Sequence, residues 1–587
     1  MLPIKGVKKM INTNDELRKL LNEIDHHGYP AYKKLKGTYS FGEYVLSIDH
    51  VQGDPFAAPS KVSVCMKGNV AKFNQDLYNT PRQKVFLEDL ILRHFQKEVS
   101  AFSFKAKGSG KSGLMSVSKP GQEVLNRSAC CVDEATGDVI LRMEIGFPAN
   151  GRTVNSRELI KIFFEFLPKC VERSLKSKAY SMTELDNTSN LAKDITYIRE
   201  WLEENDMVSF IANGSILPRE SGVSMKPMKD AVPFKNPKSL EVTLNLPHKG
   251  EIKGMGIKKG VTLIVGGGYH GKSTILKAME SGVYDHIVGD GREYCITEET
   301  ALKLRAEDGR SIRNVDISMF INHLPNKKDT VHFDTEDASG STSQAGNVVE
   351  AMECGSKTFL IDEDTSATNF MVRDELMQRV VKAECEPITP FVDRIKALYR
   401  DLGISTILVA GSCGSYFKEA DVIIQMDEYE PYDITDFAKS EAEKFIQEEK
   451  VKDKINLPVF DRYPRYINET KNSKNNRRGK DSSDRIKVKT IGLDTVCINH
   501  DNIDTRYLEQ LVDNEQMNTL GNIIATEIRK GFGGDKTLIE TVDGIMKEFS
   551  HKGFKAFSNG DYISSGMAMP RPQEIFGCIN RYRKIMF

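Results

Sequence analysis

The stretch VTLIVGGGYHGKSTILKAM, residues 261–279, combines a buried strand, a glycine-rich loop and the start of a helix in that order. Its loop fits the pattern G-x-x-x-x-G-K-S/T with the residues Gly266, Gly267, Gly268, Tyr269, His270, Gly271, Lys272 and Ser273, and Thr274 follows. Glycines let backbone N–H groups approach phosphate oxygens, a lysine reaches the β- and γ-phosphates, and a serine hydroxyl ligates Mg²⁺. The helix N-terminus adds partial positive charge. The stretch therefore predicts a site for a nucleoside triphosphate with Mg²⁺.

The composition is typical of a globular chain with several domains. Its 587 residues have room for roughly three to four domains of ~100–200 residues each. The net charge of −1 excludes a global field that would draw the chain onto nucleic acid or membrane. The ten cysteines show no zinc-ligand spacing, and no apolar run approaches the ~18–20 residues that span a bilayer. We therefore expect a cytoplasmic protein with free thiols and no membrane segment.

Four segments of the chain differ in pattern. Residues 1–240 mix helical periodicity with alternating strands, which predicts an α+β domain. Residues 241–438 alternate short β-branched strands with helices, as in an α/β fold with a largely parallel sheet. Residues 439–490 form a polar linker region that ends in basic residues, and residues 491–587 predict a small, mostly helical domain.

A second motif, FLIDED at residues 359–364, is typical of a buried strand that ends in carboxylates. In phosphate-loop enzymes the first carboxylate, here Asp362, holds Mg²⁺, and the next, Glu363, orients or deprotonates the attacking water. The run DEDTSATN at 362–369 resembles the D-E-P-T-S-A-L-D run of ABC ATPases, which carries this strand into the D-loop. Glu363 and Lys272 are accordingly the predicted catalytic residues.

A serine–glycine pair stands between these two motifs. Ser339 lies 23 residues before Asp362, at the start of ASGSTSQAGNVVEAM (338–352), where ABC proteins carry L-S-G-G-Q. A hydroxyl and free N–H groups at a helix N-terminus can meet an anion, and in ABC proteins this anion is the γ-phosphate held by the opposite subunit. An ordinary helix cap would use the same residues. The position of the pair between the two motifs favours an ABC signature motif over a simple cap, and predicts Ser339, Gly340 and Ser341 as nucleotide contacts.

Longer matches extend beyond these motifs, and the chain resembles the group of predicted ATPases of the ABC class. A kinetoplastid mitochondrial RNA-editing-associated ATPase also belongs to that group. The matching segments are IDHVQGDPFA (48–57), GMGIKKGVTLIVGGGYHGKST (254–274), YDHIVGDGREYCIT (284–297), AEDGRSI (306–312), ASGSTSQA (338–345), DEDTSATNFMVRDELM (362–377), EPITPF (386–391), PRPQEI (570–575) and INRYR (579–583). The resemblance implies an ABC-type P-loop core between an N-terminal and a C-terminal domain. It also implies a head-to-tail homodimer that binds ATP and Mg²⁺.

Two positions depart from transporter-type ABC cores, and a third, the Q-loop place, stays open. The switch histidine is replaced, since Gly411 or Ser412 occupies its place after the strand STILVA. Without an imidazole on the γ-phosphate we expect slow hydrolysis. The Q-loop place offers Asn322 or His323; Asn322 can ligate Mg²⁺-bound water, but a plain turn fits equally well. No aromatic residue stands near position 247, where ABC proteins often stack adenine.

The sequence leaves several functions open. The segment 471–489 carries eight Lys and Arg against two Asp, which is compatible with an RNA-binding machine or with a solvated tether. A nucleotide-gated scaffold without nucleic acid is the alternative, because the switch histidine is missing. The motor subunit of a transporter fits less well, since only 66 residues separate Ser273 from Ser339 and leave little room for a docking subdomain.

Overall fold

The computed structural model describes residues 11–373, 380, 386–411, 413–444, 455–467, 486–532, 534–558, 560 and 562–587. The chain divides into two compact units. The first unit comprises Met1–Lys193 and Glu548–Met569, and the second comprises Asp194–Lys547 and Pro570–Phe587.

The first unit is built on a seven-stranded, mainly antiparallel sheet. The strands of this part of the chain are β1 (Asn12–Thr13), β2 (Gly37–Ser40), β3 (Tyr44–His50), β4 (Ser60–Met66), β5 (Met115–Ser116), β6 (Glu123–Val124), β7 (Cys130–Val132), β8 (Val139–Ile145), β9 (Ala149–Asn150) and β10 (Thr153–Val154). The order is β1-β2-β3-β4-β8-β5, with β7 also paired to β8. Buried residues alternate along β3 and β4, so one face of the sheet carries the core.

Six α-helices begin in the first unit and complete its predicted α+β fold. They are α1 (Asn14–Glu23), α2 (Gly68–Ala71), α3 (Pro81–Phe102), α4 (Ser156–Lys161), α5 (Leu167–Glu172) and α6 (Met182–Glu204). A π-helical segment, Ile162–Phe166, joins α4 to α5. In α1 the Thr13 side chain and Glu16 form a reciprocal capping box, which satisfies two N–H groups at the helix start.

The second unit contains the predicted α/β core. Its strands are β11 (Met207–Ala212), β12 (Arg219–Ser221), β13 (Ser224–Pro227), β14 (Glu241–Leu246), β15 (Gly250–Lys258), β16 (Val261–Val265), β17 (Asp285–His286), β18 (Cys295–Thr297), β19 (Leu302–Leu304), β20 (Ile312–Val315), β21 (Phe333–Thr335), β22 (Thr358–Asp362), β23 (Ser405–Val409), β24 (Val422–Asp427), β25 (Glu430–Asp433), β26 (Arg465–Tyr466), β27 (Val488–Ile491), β28 (Thr495–Ile498), β29 (Asp501–Asp504) and β30 (Ile585–Met586). A six-stranded sheet has the order β19-β22-β23-β16-β24-β25, in which only the β24–β25 pair is antiparallel. A four-stranded antiparallel sheet has the order β14-β15-β11-β18.

Helices cover the parallel sheet, as its sequence requires. The helices that begin in this unit are α7 (Lys272–Ser281), α8 (Gly340–Glu353), α9 (Thr368–Met371), α10 (Phe391–Leu402), α11 (Thr435–Glu443), α12 (Asn514–Lys530), α13 (Leu538–Lys552) and α14 (Pro572–Asn580). β22 and β23 are buried along their whole length, which is typical of strands covered on both faces. No helix of the described ranges is long and apolar enough to cross a membrane.

The C-terminal part differs from a purely helical domain in two respects. A three-stranded antiparallel sheet, β27-β28-β29, packs with α12. Residues 548–569 belong to the first unit, because Ser128 N–H donates to Met567 O at 2.8 Å and Met569 N–H donates to Asn126 O at 2.9 Å. These backbone bonds join residues more than 400 positions apart in the sequence, which no local pattern predicts.

Candidate nucleotide-binding site

The glycine-rich loop lies at the carboxyl end of β16, between that strand and α7. Gly271 is the N-cap of α7 and has a φ of 97°, and Tyr269 is also left-handed with a φ of 66°. No side chain caps the helix, so its first N–H groups point toward the loop without a side-chain acceptor. A Cβ built on Gly268 meets nothing within 4 Å, so that part of the loop is open. This is the backbone geometry that receives an anion.

The ammonium group of Lys272 lies over the loop that precedes it. Its Nζ donates to the carbonyl oxygens of Gly266 and Gly267, at 2.7 Å each. A lysine has three N–H donors, so these two carbonyls orient the group and leave it able to reach a phosphate in the loop. The predicted contact residue Ser273 is exposed in the first turn of α7, and Thr274 follows it half-buried.

Oxygen ligands suited to Mg²⁺ come from Ser273 and Asp362. Asp362 is the last residue of β22 and is 8% exposed, and its Oδ1 accepts a hydrogen bond from Asp364 N–H at 3.2 Å. α7 packs against β22 and β23, which brings these two parts of the site to one edge of the sheet. A hydroxyl and a carboxylate are the hard donors that Mg²⁺ takes together with phosphate oxygens. The residues present therefore fit this ion.

Glu363 is held by the backbone of Gly411, one of the two residues considered for the switch position. Its Oε2 accepts a hydrogen bond from Gly411 N–H at 2.6 Å, and Gly411 lies just beyond β23. The other residue considered for the switch position, Ser412, lies outside the described residues. A backbone N–H group thus orients the carboxylate, a contact that no side-chain pattern could have predicted.

Asn322 occupies a turn that follows β20. Its side-chain Nδ2 donates to Ser318 O, and its backbone N–H donates to Pro387 O at 2.8 Å. In the Asn322 side chain only Oδ1 accepts hydrogen bonds, so a side-chain contact to Mg²⁺-bound water would use that atom. These two hydrogen bonds hold the backbone in place at Asn322. They are compatible with a plain turn and also with a contact to Mg²⁺-bound water.

Ser339 is exposed at the start of α8. It is the N-cap residue of the helix, yet its hydroxyl makes no capping bond and lies 3.0 Å from Thr342 Oγ1. The atoms nearest to a Cβ on Gly340 belong to Asp308, Ala367 and Ala306. The hydroxyl and the free N–H groups of this 14-residue helix therefore face outward, with Ser341 half-buried behind them.

Gln344 joins α8 to the run 362–369 that resembles a D-loop, and the sequence analysis missed this residue. Its Oε1 accepts from Ala367 N–H at 2.7 Å, and its Nε2 donates to Ser366 Oγ at 3.0 Å. The side chain is fully buried. Gln344 makes these bonds only because the segment that carries Ser366 and Ala367 packs against α8. The bonded residues are more than twenty positions apart, so no local sequence pattern indicates the contact.

Three family models match successive parts of the chain. An N-terminal domain of ATPases of the ABC class matches residues 14–178, an ABC ATPase P-loop domain matches residues 181–460, and the MRB1590 C-terminal domain matches residues 487–587. The chain belongs to the ABC-class ATPases. All three domains of this family are thus present in order, and the resemblance found in the motifs is confirmed.

This ABC-class ATPase is also similar to individual proteins. It is 33% identical over 227 residues to uncharacterized protein MJ1628 of Methanocaldococcus jannaschii, covering 37% of this chain and 50% of that relative, so the match spans half of the relative's length. Clostridium perfringens cbiO1, part of the ABC transporter complex cbiONQ, is 13% identical with a TM-score of 0.23, over 41% of this chain and 94% of that one. The ADP conformation of an ATP-binding cassette of an ABC transporter is 12% identical with the same TM-score, over 38% and 89%.

C-terminal residues of the ABC-class ATPase hold the segment beside the signature. Arg581 forms an ion pair with the buried carboxylate of Glu307. Glu307 N–H donates to Ser343 Oγ of α8 at 2.9 Å, and Arg583 donates to Gly309 O at 3.0 Å. These bonds lie within the second unit and tie its last residues to the region around Ser339.

The β24–β25 hairpin lies on the other side of the glycine-rich loop. Glu428 N–H donates to His270 Nδ1 at 2.9 Å, and the same ring nitrogen lies 3.0 Å from Asp427 Oδ1. The His270 ring therefore ties the loop to the hairpin turn. A Cβ on Gly266 would stand 2.4 Å from Met426 O, so only glycine allows this close backbone approach.

Proposed function

We propose that this chain binds Mg·ATP and hydrolyses it slowly as a head-to-tail homodimer. The observation that carries the proposal is the exposed N-terminus of α8, with the Ser339 hydroxyl unused as a cap. The nearest neighbours of Gly340 are Asp308, Ala367 and Ala306, rather than the phosphate loop of the same chain. In a head-to-tail pair these N–H groups would receive the γ-phosphate that the second copy holds.

Each site residue has a distinct part in the proposed reaction. Lys272 and the N–H groups of the loop bind the β- and γ-phosphates. Mg²⁺ held by Ser273 and Asp362 would neutralise phosphate charge during transfer. Glu363 orients the attacking water and takes its proton.

Slow turnover follows from the switch position. Gly411 provides one N–H to Glu363, and neither Gly411 nor Ser412 has an imidazole that could contact the γ-phosphate. Loss of one positioned donor to a transition state costs about 2.7–4 kcal/mol, which is a hundred-fold or more in rate. ATP would then stay bound long enough for the dimer to act as a clamp.

The nucleic-acid part of the proposal names RNA as the partner. It is supported by the basic segment 471–489, of which residues 471–485 lie outside the described residues, and by the resemblance to a family with an RNA-editing-associated member. A cytoplasmic location belongs to the same proposal.

Dimerisation is tested with two variants of opposite expected effect. Glu363→Gln should keep ATP bound without hydrolysis and run as a dimer with Mg·ATP in light scattering. Lys272→Ala should stay at the mass of the nucleotide-free protein, because its loop lacks the ammonium group. Equal masses for the two variants with Mg·ATP would contradict the clamp.

RNA binding is tested by its salt dependence. If about six phosphates are neutralised, log K should fall against log salt with a slope of about −5. Replacement of the basic residues of 471–489 by glutamine is the matched control and should flatten the slope. Salt-independent binding, or none at all, would remove RNA from the proposal.

The second candidate is a nucleotide-gated scaffold that binds ATP without turnover or nucleic acid. It is favoured by Gly411 and Ser412, the two residues considered for the switch position, because neither carries an imidazole that could contact the γ-phosphate. A single-turnover assay with γ-³²P-labelled ATP separates the candidates, since the scaffold releases no phosphate from the dimer.

A further inference from the structure

The strand order indicates which end of the proposed nucleotide lies over which strand of the sheet. The glycine-rich loop follows β16, and the carboxylates that face the γ-phosphate follow β22, which lies two strands away across β23. β24 is the neighbour of β16 on the opposite side, with Val265 paired to Gln425. Because the γ-phosphate end points toward β22, the ribose and base at the other end of the nucleotide lie toward β24.

An aromatic ring stands at that place. Tyr429 lies in the two-residue turn between β24 and β25 and is 57% exposed. A Cβ on Gly271 would lie 3.3 Å from Tyr429 Cδ1, so the ring packs directly on the last residue of the loop before Lys272. The hydrogen bond from Glu428 N–H to His270 Nδ1 fixes the turn against the loop.

The turn presents this ring at an energetic cost. Tyr429 has a φ of 71° and Glu428 a φ of 45°, a backbone region that bulky side chains rarely adopt. Such residues persist where the surrounding structure holds them, and they cluster at ligand sites. Asn and Gly are the residues that usually occupy such turns. The glycine-rich loop is what holds this turn, through the contact of Tyr429 with Gly271 and the bond from Glu428 N–H to His270 Nδ1.

We propose that Tyr429 stacks on the base of the bound nucleotide. This inference rests on the proposed function, because it concerns the same nucleotide, and it names the group that recognises the base. The Tyr429 ring would supply the aromatic surface that is missing near position 247, where the β14–β15 hairpin carries Pro247 and His248. A purine, with the larger ring system, is the preferred base.

Binding of Mg·ATP and of Mg·tripolyphosphate, measured by calorimetry, separates base contacts from phosphate contacts. Base–aromatic stacking is worth about 1–3 kcal/mol, so Tyr429→Ala should weaken ATP binding by roughly 5- to 150-fold. Tripolyphosphate, which has no base, should bind this variant as it binds the wild type. Tyr429→Phe keeps the ring and should keep the ATP affinity.

Two further variants control for a general effect of exposed tyrosines near the loop. Tyr432, on β25 of the same hairpin, is 48% exposed, and Tyr269, within the loop, is fully exposed. Tyr432→Ala should leave both affinities unchanged. If Tyr269→Ala rather than Tyr429→Ala selectively weakens ATP, the assignment to Tyr429 is wrong.

A fluorescent analogue gives a direct readout. The triphosphate of 2-aminopurine riboside should be quenched by the wild type and by Tyr429→Phe, since stacking quenches this base, and should stay bright on Tyr429→Ala at saturation. Equal losses of ATP and tripolyphosphate in Tyr429→Ala would overturn the inference, because the ring would then only shape the loop. If the wild type binds neither compound, the proposed function itself fails.

Discussion

Removal of Arg581 should destabilise the second unit strongly, because it leaves a carboxylate buried without its partner. The side chains of Arg581 and Glu307 are 9% and 4% exposed. Burial by itself raises the pKa of Glu307, but the Arg581 and Arg310 guanidiniums hold that pKa below its ordinary value. Breaking a buried pair by removing one partner costs about 3–5 kcal/mol. Arg581→Met should therefore lose that amount of unfolding free energy at pH 7.

The sign of the pH dependence follows from the lowered pKa. The stabilisation by Glu307 is present above the pKa of an unfolded glutamate and is lost as the pH falls through the lower folded pKa. The difference between wild type and Arg581→Met should accordingly shrink at acidic pH, where the unpaired carboxyl of the variant is protonated. The double variant Arg581→Met/Glu307→Met should lose less than Arg581→Met alone, since neither charge remains buried.

Urea unfolding followed by fluorescence of the single tryptophan, Trp201, measures these differences in the second unit. Arg583→Met is the matched control two residues away. Arg583 is 50% exposed and pairs with Glu336, which is 61% exposed, so its loss should cost less than about 1 kcal/mol. If Arg581→Met is as mild as Arg583→Met, or if its effect does not depend on pH, the buried pair does not stabilise the fold as argued.

Two further predictions concern single positions. Gly271→Ala should lower the free energy of unfolding in urea by about 1–2 kcal/mol, because Gly271 has a φ of 97°. Gly268→Ala is the control and should lower it less, since a Cβ there meets nothing within 4 Å. Equal losses in the two variants would contradict the argument from backbone strain. Burial raises the pKa of Glu88 to about 7, so its stabilising contribution is present below an ordinary glutamate pKa and is lost as the pH rises to 7. The unfolding free energy of Glu88→Gln, measured by thermal unfolding, should therefore rise by about 3 kcal/mol relative to that of the wild type between pH 4.5 and pH 7. A difference that stays constant across that range would refute this prediction.

Much of the fold was predictable because its signals are local. The glycine-rich loop between a buried strand and a helix specifies the phosphate site, and FLIDED specifies the strand that ends at Asp362. The alternation of short β-branched strands with helices indicated the largely parallel sheet, which the structure confirms. The short strands of β27-β28-β29 were not predicted, since four-residue segments with polar neighbours carry little periodicity.

The sequence by itself determined the family, the α/β core and the identity of the residues suited to phosphate and Mg²⁺, because each depends on residue types at fixed short spacings. Only the tertiary structure decided which distant groups meet. Gly411 N–H on Glu363, Gln344 on the D-loop, Arg581 on Glu307 and Tyr429 on Gly271 all join segments separated by many residues. Backbone donors, a buried ion pair and the geometry of a turn provide these contacts, and all of them depend on how distant segments pack once the chain is folded.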